Sequence, residues 1–217
     1  MAKATLTISS KTYSAWSLRG WLLTQLAGLE VDEQRVENDA ADRAELLLLS
    51  PSVLVPRLTH EGASVWDTLA IAEYLNELYP DAQMLPADRI ARAHCRSISG
   101  EIHSGFTNLR SALPMNLKVR HEKFPVFSGA RPDIERIEVI WQECLGKYGG
   151  PFLFGAAPTI ADAMYAPVTT RFLTYAVGLS APSAAYCQTI AAWGPMIQWR
   201  EAALAEAEEI EDLDVEF

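Results

Sequence analysis

The residues best placed to do chemistry lie in Thr12-Tyr13-Ser14-Ala15-Trp16-Ser17-Leu18-Arg19, where an extended segment turns into a helix. The free N–H groups and positive dipole end of a helix start favour negative charge, so a thiolate held beside Ser14 would be stabilised there. Ser is equally a preferred helix cap, and Ser14 or Ser17 can serve in that role alone. A second helix start follows at Asp67-Thr68, ahead of Leu69-Ala70-Ile71-Ala72-Glu73-Tyr74-Leu75. The same dual reading, ordinary N-cap or anion site, applies to it.

Elements of regular period must position these residues. Lys3 to Ser10 alternates short apolar and polar residues, as a strand does, while Trp16, Leu18, Leu22, Leu23 and Leu26 recur at helical spacing until Gly28. The first unit reads as strand 4–10, helix 16–27, strand 31–37, helix 40–49, strand 55–60, strand 63–66 and helix 67–78. Glu61-Gly62 makes a tight hairpin of the last two strands. This βαβαββα order predicts a thioredoxin-like mixed sheet. Tyr79 to Asp88 carries two prolines and turn formers, which places a linker at 80–87 between a domain of residues 1–79 and one of residues 88–217. Beyond it, Arg89 to Ala112, Asp133 to Lys147, Thr159 to Val177 and Pro182 to Ala207 have helical periodicity, with breaks at Pro114, Pro132, Gly149-Gly150-Pro151 and Gly194-Pro195. The expected fold class is α/β plus all-α, a thioredoxin-like domain followed by a helical bundle.

The 217 residues, 49% of them apolar, suffice for real cores. No apolar run of membrane-spanning length occurs and the N-terminus does not read as a signal peptide, so a soluble cytoplasmic protein without membrane contact is expected. A net charge of −10 argues against nucleic-acid binding, and the acids from Glu206 to Glu216 read as a solvated tail. Cys95, Cys144 and Cys187 are odd in number and far apart, which suggests reduced core residues. His60, His94 and His121 lack partners at metal-ligand spacing, so no metal is expected.

Four motifs together give the chain a specific likeness. They are the Ser14 junction, Val55-Pro56 immediately before a strand, Asp67-Thr68 at a helix start, and Phe154-Gly155-Ala156-Ala157-Pro158-Thr159-Ile160-Ala161-Asp162-Ala163. In this combination the chain resembles the cytosolic glutathione transferases over nearly all its length. The resemblance implies glutathione as co-substrate and a homodimer. It implies a cis peptide before Pro56, with the backbone of Val55 pairing with the cysteinyl part of glutathione. It also implies that Asp67 and Thr68 hold the γ-glutamyl group. Ser14, Ser17 and Arg19 match the Ser-x-x-Ser-x-Arg pattern of Ser-type members. Ser14 is therefore the first candidate to activate the thiol, followed by Tyr13 and Ser17.

Thr159 and Asp162 suit a structural capping box. The resemblance departs at Ser50-Pro51-Ser52-Val53-Leu54, where the customary ligand of the glycine carboxylate is missing, leaving Arg43 or Arg57 as candidates. An electrophile pocket is expected between the domains, lined by Tyr13, Trp16 and Glu101 to Leu113, with His103, Phe106, Asn108, Arg110 and Ser111 as candidates. Conjugation to a small electrophile is the favoured activity. The alternatives are a maleylacetoacetate isomerase-like cis–trans isomerisation, a non-catalytic binding or regulatory protein, and peroxide reduction.

Overall fold

The structure, a computed structural model, describes residues 4–36, 55–122 and 124–207. The expected helix 40–49, the Ser50 to Leu54 segment and Arg43 lie outside the described residues. Strand β1 (Ala4–Ile8) leads to helix α1 (Ala15–Ala27), then to β2 (Val31–Arg35), β3 (Arg57–His60), β4 (Ala63–Trp66) and α2 (Thr68–Leu78). The four strands form one sheet in the order β2-β1-β3-β4. β1 runs parallel to β2 and antiparallel to β3, and β3 and β4 are antiparallel, as the hairpin at Glu61-Gly62 requires. Both turn residues have positive φ, 49° and 83°, the geometry of a tight hairpin that matches strand twist.

A short 3₁₀ turn at Pro80–Ala82 follows, and then the helices α3 (Arg89–Ser104), α4 (Thr107–Ala112), α5 (Arg131–Tyr148), α6 (Ile160–Thr174), α7 (Ala181–Ala192) and α8 (Gly194–Leu204). The run from Arg89 to Ala112 is thus two helices and not one. It breaks at Gly105 and at Phe106, whose φ of 61° leaves the right-handed helix. The run from Pro182 is also two helices, parted at the expected Gly194-Pro195.

Helix α6 is the axis of the second unit and is buried almost throughout. Trp141 packs edge-on against Tyr165 and Phe172 of α6 and Tyr186 of α7. Where α1 meets α6, the two units share one apolar core that runs from Leu6, Leu22 and Ile71 to Met164, Phe172 and Trp199. The three cysteines are free and buried, as expected. Burial pushes each thiol up, to about 11 for Cys95 and about 12 for Cys144 and Cys187, so they stay protonated at neutral pH. None of the described helices is long and apolar enough to cross a membrane.

One expectation fails at the end of the described chain. Glu206, read from sequence as part of a solvated tail, has a side chain only 8% exposed and accepts hydrogen bonds from the segment between β1 and α1. The run of acids hid it, because like charges in sequence say nothing about which one finds donors.

Candidate functional site

Strand register brings the motifs together. Arg57 at the start of β3 pairs with Thr7 near the end of β1 and with Trp66 at the end of β4. The β1–α1 segment, Val55-Pro56 and Asp67-Thr68 therefore all lie at the same end of the sheet. Two helix N-termini, those of α1 and α2, open beside it.

Ser14 caps α1 with extended backbone, φ −87° and ψ 97°. Its Oγ accepts from the Ser17 N–H at 3.2 Å and donates to Ser17 Oγ at 2.9 Å. Ser17 is fully buried and its Oγ also accepts from the Ser9 N–H at 3.0 Å. Ser17 thus ties the helix start to the end of β1, while Ser14 remains half-buried at the rim. Tyr13 is buried.

The Val55–Pro56 peptide is cis. Pro56 sits against α1 at Gly20, where an added Cβ would fall 2.5 Å from the Pro56 ring. Neither helix backbone nor proline ring yields easily. Gly20→Ala is therefore expected to destabilise the protein by about 1 to 3 kcal/mol through overpacking, despite alanine's better helix propensity, and a lowered thermal midpoint checks this.

Asp67 has φ 76° and caps α2, its Oδ1 accepting from the N–H groups of Leu69 at 2.8 Å and Ala70 at 3.4 Å. Its Oδ2 meets His103 Nε2 at 3.0 Å, and the other nitrogen of that ring, Nδ1, lies 3.3 Å from the Thr68 hydroxyl. A ring with its proton on Nε2 satisfies both contacts, donating to Asp67 and accepting from Thr68. Sequence placed His103 in the electrophile pocket. The ring reaches from α3 to the start of α2 as well as to Trp16, and its partnership with Thr68 spans 35 residues that no local pattern signals.

Trp16 packs at the domain interface. Its ring meets His103 at 5.1 Å, and the guanidinium groups of Arg19 and Arg110 lie over it at 4.6 and 5.0 Å. Arg19 is 1% exposed and donates from Nε to the Met164 carbonyl at 2.8 Å. Arg110 donates to the carbonyls of Ile102 and His103, and Arg171 to that of Leu113. Among the described residues none of the three makes an ion pair with a carboxylate, and Arg19 Nη2 and Arg110 Nε find no hydrogen-bond partner. Burial, then repulsion from Arg171 and Arg110, holds Arg19 well below its usual range, burial and repulsion from Arg110 bring Arg171 down to about 10, and burial lowers Arg110 against the pull of Asp133.

Within the electrophile region expected from sequence, Arg110 thus faces Trp16, and Phe106 and Leu113 are core residues. A cavity of about 180 Å³ opens farther along the helical unit. Its wall includes Leu117, Leu173, Met196 and Leu204 together with Arg120 and Arg200, and no residue of the Ser14 junction lines it. Arg57, one candidate for the glycine carboxylate, is mostly buried within β3.

A mixed four-stranded sheet with two helix starts at one end, joined to a helical unit, defines a thioredoxin-fold domain carrying an all-helical partner domain. The sequence matches the glutathione S-transferase N-terminal domain over residues 13–78 and the glutathione S-transferase C-terminal domain over residues 124–203, and the chain belongs to the glutathione S-transferase family. It is 31% identical over 128 residues to a probable maleylacetoacetate isomerase of Caenorhabditis elegans, covering 58% of this chain and 59% of that one. It is also 31% identical over 137 residues to the maleylacetoacetate isomerase of Rattus norvegicus, covering 63% and 62%. The matched region thus spans about three-fifths of each relative's length. A glutathione transferase homologue from Burkholderia, crystallised with bound glutathione, shares the fold with a TM-score of 0.70 at 24% identity, over 93% of this chain and 98% of the other.

Proposed function

We propose that the protein is a glutathione S-transferase that joins the glutathione thiolate to a small electrophile, with Ser14 as the catalytic hydroxyl. The observation that carries this reading is the gathering of Ser14, Val55-Pro56 and Asp67-Thr68 at one end of the sheet. A free thiol titrates near 8.5, and a hydroxyl donor at a helix N-terminus lowers that value so that the nucleophile is abundant at neutral pH. Ser14 meets both requirements. Its hydroxyl turns from Ser17 toward the sulfur, and the Ser17 hydroxyl then donates to Ser14 Oγ, so the pair loses no hydrogen bond. Val55 offers its backbone to the cysteinyl unit. Asp67 takes the glutamyl ammonium, and Thr68 at the N-terminus of α2 takes the glutamyl carboxylate. Glutathione so bound competes with His103 for Asp67 and Thr68, so binding and domain contact are linked.

In this reading residues 1–79 form the glutathione-binding domain, 80–87 the linker and 88–217 the helical domain of a cytoplasmic, homodimeric detoxification enzyme. Calorimetric titration with glutathione, followed by conjugation with a generic aromatic electrophile, tests it. Micromolar to low-millimolar binding with turnover is expected. Absence of binding overturns it and favours a non-catalytic role.

A second reading has its own observation. Arg19 and Arg110 lie over Trp16, Arg171 is close enough to both to repel them, and none of the three makes an ion pair with a carboxylate among the described residues. A glutathione-dependent isomerase of an unsaturated dicarboxylate needs such cations, and the two relatives named above are, by name, a probable maleylacetoacetate isomerase and a maleylacetoacetate isomerase. Against it stands Ala15-Trp16 in place of the Ser-Cys that some members of the resembled family carry at the catalytic turn. Turnover of a cis-unsaturated dicarboxylate with glutathione present, exceeding that of the aromatic electrophile, would make isomerisation the main activity.

A further inference from the structure

The segment from Ser9 to Ser14 delivers the catalytic hydroxyl, and a carboxylate almost two hundred residues away holds it. Glu206 Oε1 accepts from the Lys11 N–H at 2.7 Å, and Oε2 accepts from the Thr12 N–H at 3.0 Å, the Thr12 hydroxyl at 2.9 Å and the Ser10 hydroxyl at 3.0 Å. Arg35 of β2 lies 3.5 Å from Oε1. The surrounding backbone joins the arrangement. The Thr12 hydroxyl also reaches the Ala203 carbonyl, Trp199 Nε1 donates to the Lys11 carbonyl, and Lys118 Nζ donates to the Glu206 carbonyl. Ser10, so fixed, uses its Oγ to accept from the N–H groups of Thr12 and Tyr13 and its carbonyl to accept from the Ser14 N–H at 3.1 Å. Hydrogen bonds at the Ser10 hydroxyl and at the Ser10 carbonyl therefore link Glu206 through Ser10 to Ser14.

We infer that Glu206 is a positioning residue for Ser14, setting from the far end of the chain where the thiol-activating hydroxyl stands. This rests on the reading of Ser14 as the catalytic hydroxyl. Direct electrostatics are not the means, since a bare carboxylate near the sulfur would oppose the thiolate, and four donors and Arg35 spend this charge locally. Burial alone would raise the Glu206 carboxyl, but the bonds from Lys11, Thr12 and Ser10 outweigh it and hold the group below the usual range. It is therefore ionised wherever the enzyme works.

The test uses the full chain and the variants Glu206→Ala, Glu206→Gln and Glu206→Asp, alone and combined with Ser14→Ala. Circular dichroism checks folding, steady-state kinetics give kcat and KM for glutathione, and ultraviolet titration gives the pKa of the bound thiol. Glu206→Ala is expected to lower kcat by about tenfold or more and to raise the bound thiol pKa, with KM changed less than about threefold, because a misplaced reacting group costs rate more than binding. Glu206→Gln, which keeps the shape but turns an amide N–H₂ toward donors, should act in the same direction even if Glu206→Ala fails to fold. Glu206→Asp should restore part of the rate. In the Ser14→Ala background the Glu206 substitutions should cost little more.

Folded Glu206 variants with wild-type kcat and thiol pKa would overturn the inference alone. So would full multiplicative losses in the double variants. A wild-type protein that neither binds nor conjugates glutathione would overturn the functional reading, and the positioning role with it.

Discussion

Replacing Asp162 by alanine should cost about 3 to 5 kcal/mol of stability or prevent folding at ordinary temperature. The carboxylate is fully buried at the start of α6. Its Oδ2 accepts from the Thr159 N–H at 2.7 Å and the Thr159 hydroxyl at 3.0 Å, and its Oδ1 from the Leu153 N–H and the Tyr186 hydroxyl at 3.0 Å each. The capping box foreseen in the sequence is therefore one half of a larger junction that also fixes the turn before α6 and the helix behind it. Alanine leaves several donors buried without acceptors.

Burial is the largest influence on the Asp162 carboxyl and raises it above the usual range, against four hydrogen bonds that lower it. An acid raised in the folded state holds its proton longer there than in the unfolded chain. The contribution of this site to stability therefore falls as pH climbs from the ordinary aspartate range, about 3.9, through the raised folded value. Asp162→Asn, which retains one acceptor oxygen and no charge, should fall between wild type and Asp162→Ala and lose this pH dependence. Denaturant unfolding of the three proteins at several pH values checks both statements, and equal stability of Ala and wild type would refute the account.

What the sequence reveals here follows the range of the forces involved. The Ser14 cap, the left-handed Gly28 with φ 68°, the Glu61-Gly62 hairpin and the Thr159–Asp162 box are set by neighbours within a few residues, and composition records them. The mixed sheet was legible in the βαβαββα order and the hairpin, whereas the shared location of Val55-Pro56 with the helix starts came through family resemblance, since strand pairing across fifty residues leaves little local trace. The break in the α3–α4 run had a weak signal in Gly105, but the left-handed turn at Phe106 did not. The meeting of Trp16 with the 101–113 region was expected, but two features of the candidate site had no legible signal. His103 reaching Asp67 and Thr68, and Glu206 holding Lys11 and Thr12, each join groups from different elements. Only the packing of the helical unit on the sheet decides those partners.

Ser14→Ala should lower kcat by about 10²- to 10³-fold, the range for removing one donor to a developing or resident anion, while changing the dissociation constant for glutathione by no more than a few-fold. The split follows from where the hydroxyl acts. In the proposed binding mode it bonds the sulfur, affinity arises mainly at Val55, Asp67 and Thr68, and the lost bond is one that favours the thiolate over the thiol. The bound thiol should therefore titrate near its free value of about 8.5 in the variant, and the rate should recover as pH is raised toward it.

The two neighbouring hydroxyls give distinct outcomes. Ser17 is fully buried and holds the Ser9 N–H, so Ser17→Ala should reduce stability as well as rate. Tyr13→Phe should leave the thiol pKa unchanged, since the buried Tyr13 ring is a rival only if its phenol reaches the sulfur. Ultraviolet titration of bound glutathione across the three variants separates the candidates. A raised thiol pKa in Tyr13→Phe with an unaltered one in Ser14→Ala would transfer the catalytic role to the phenol.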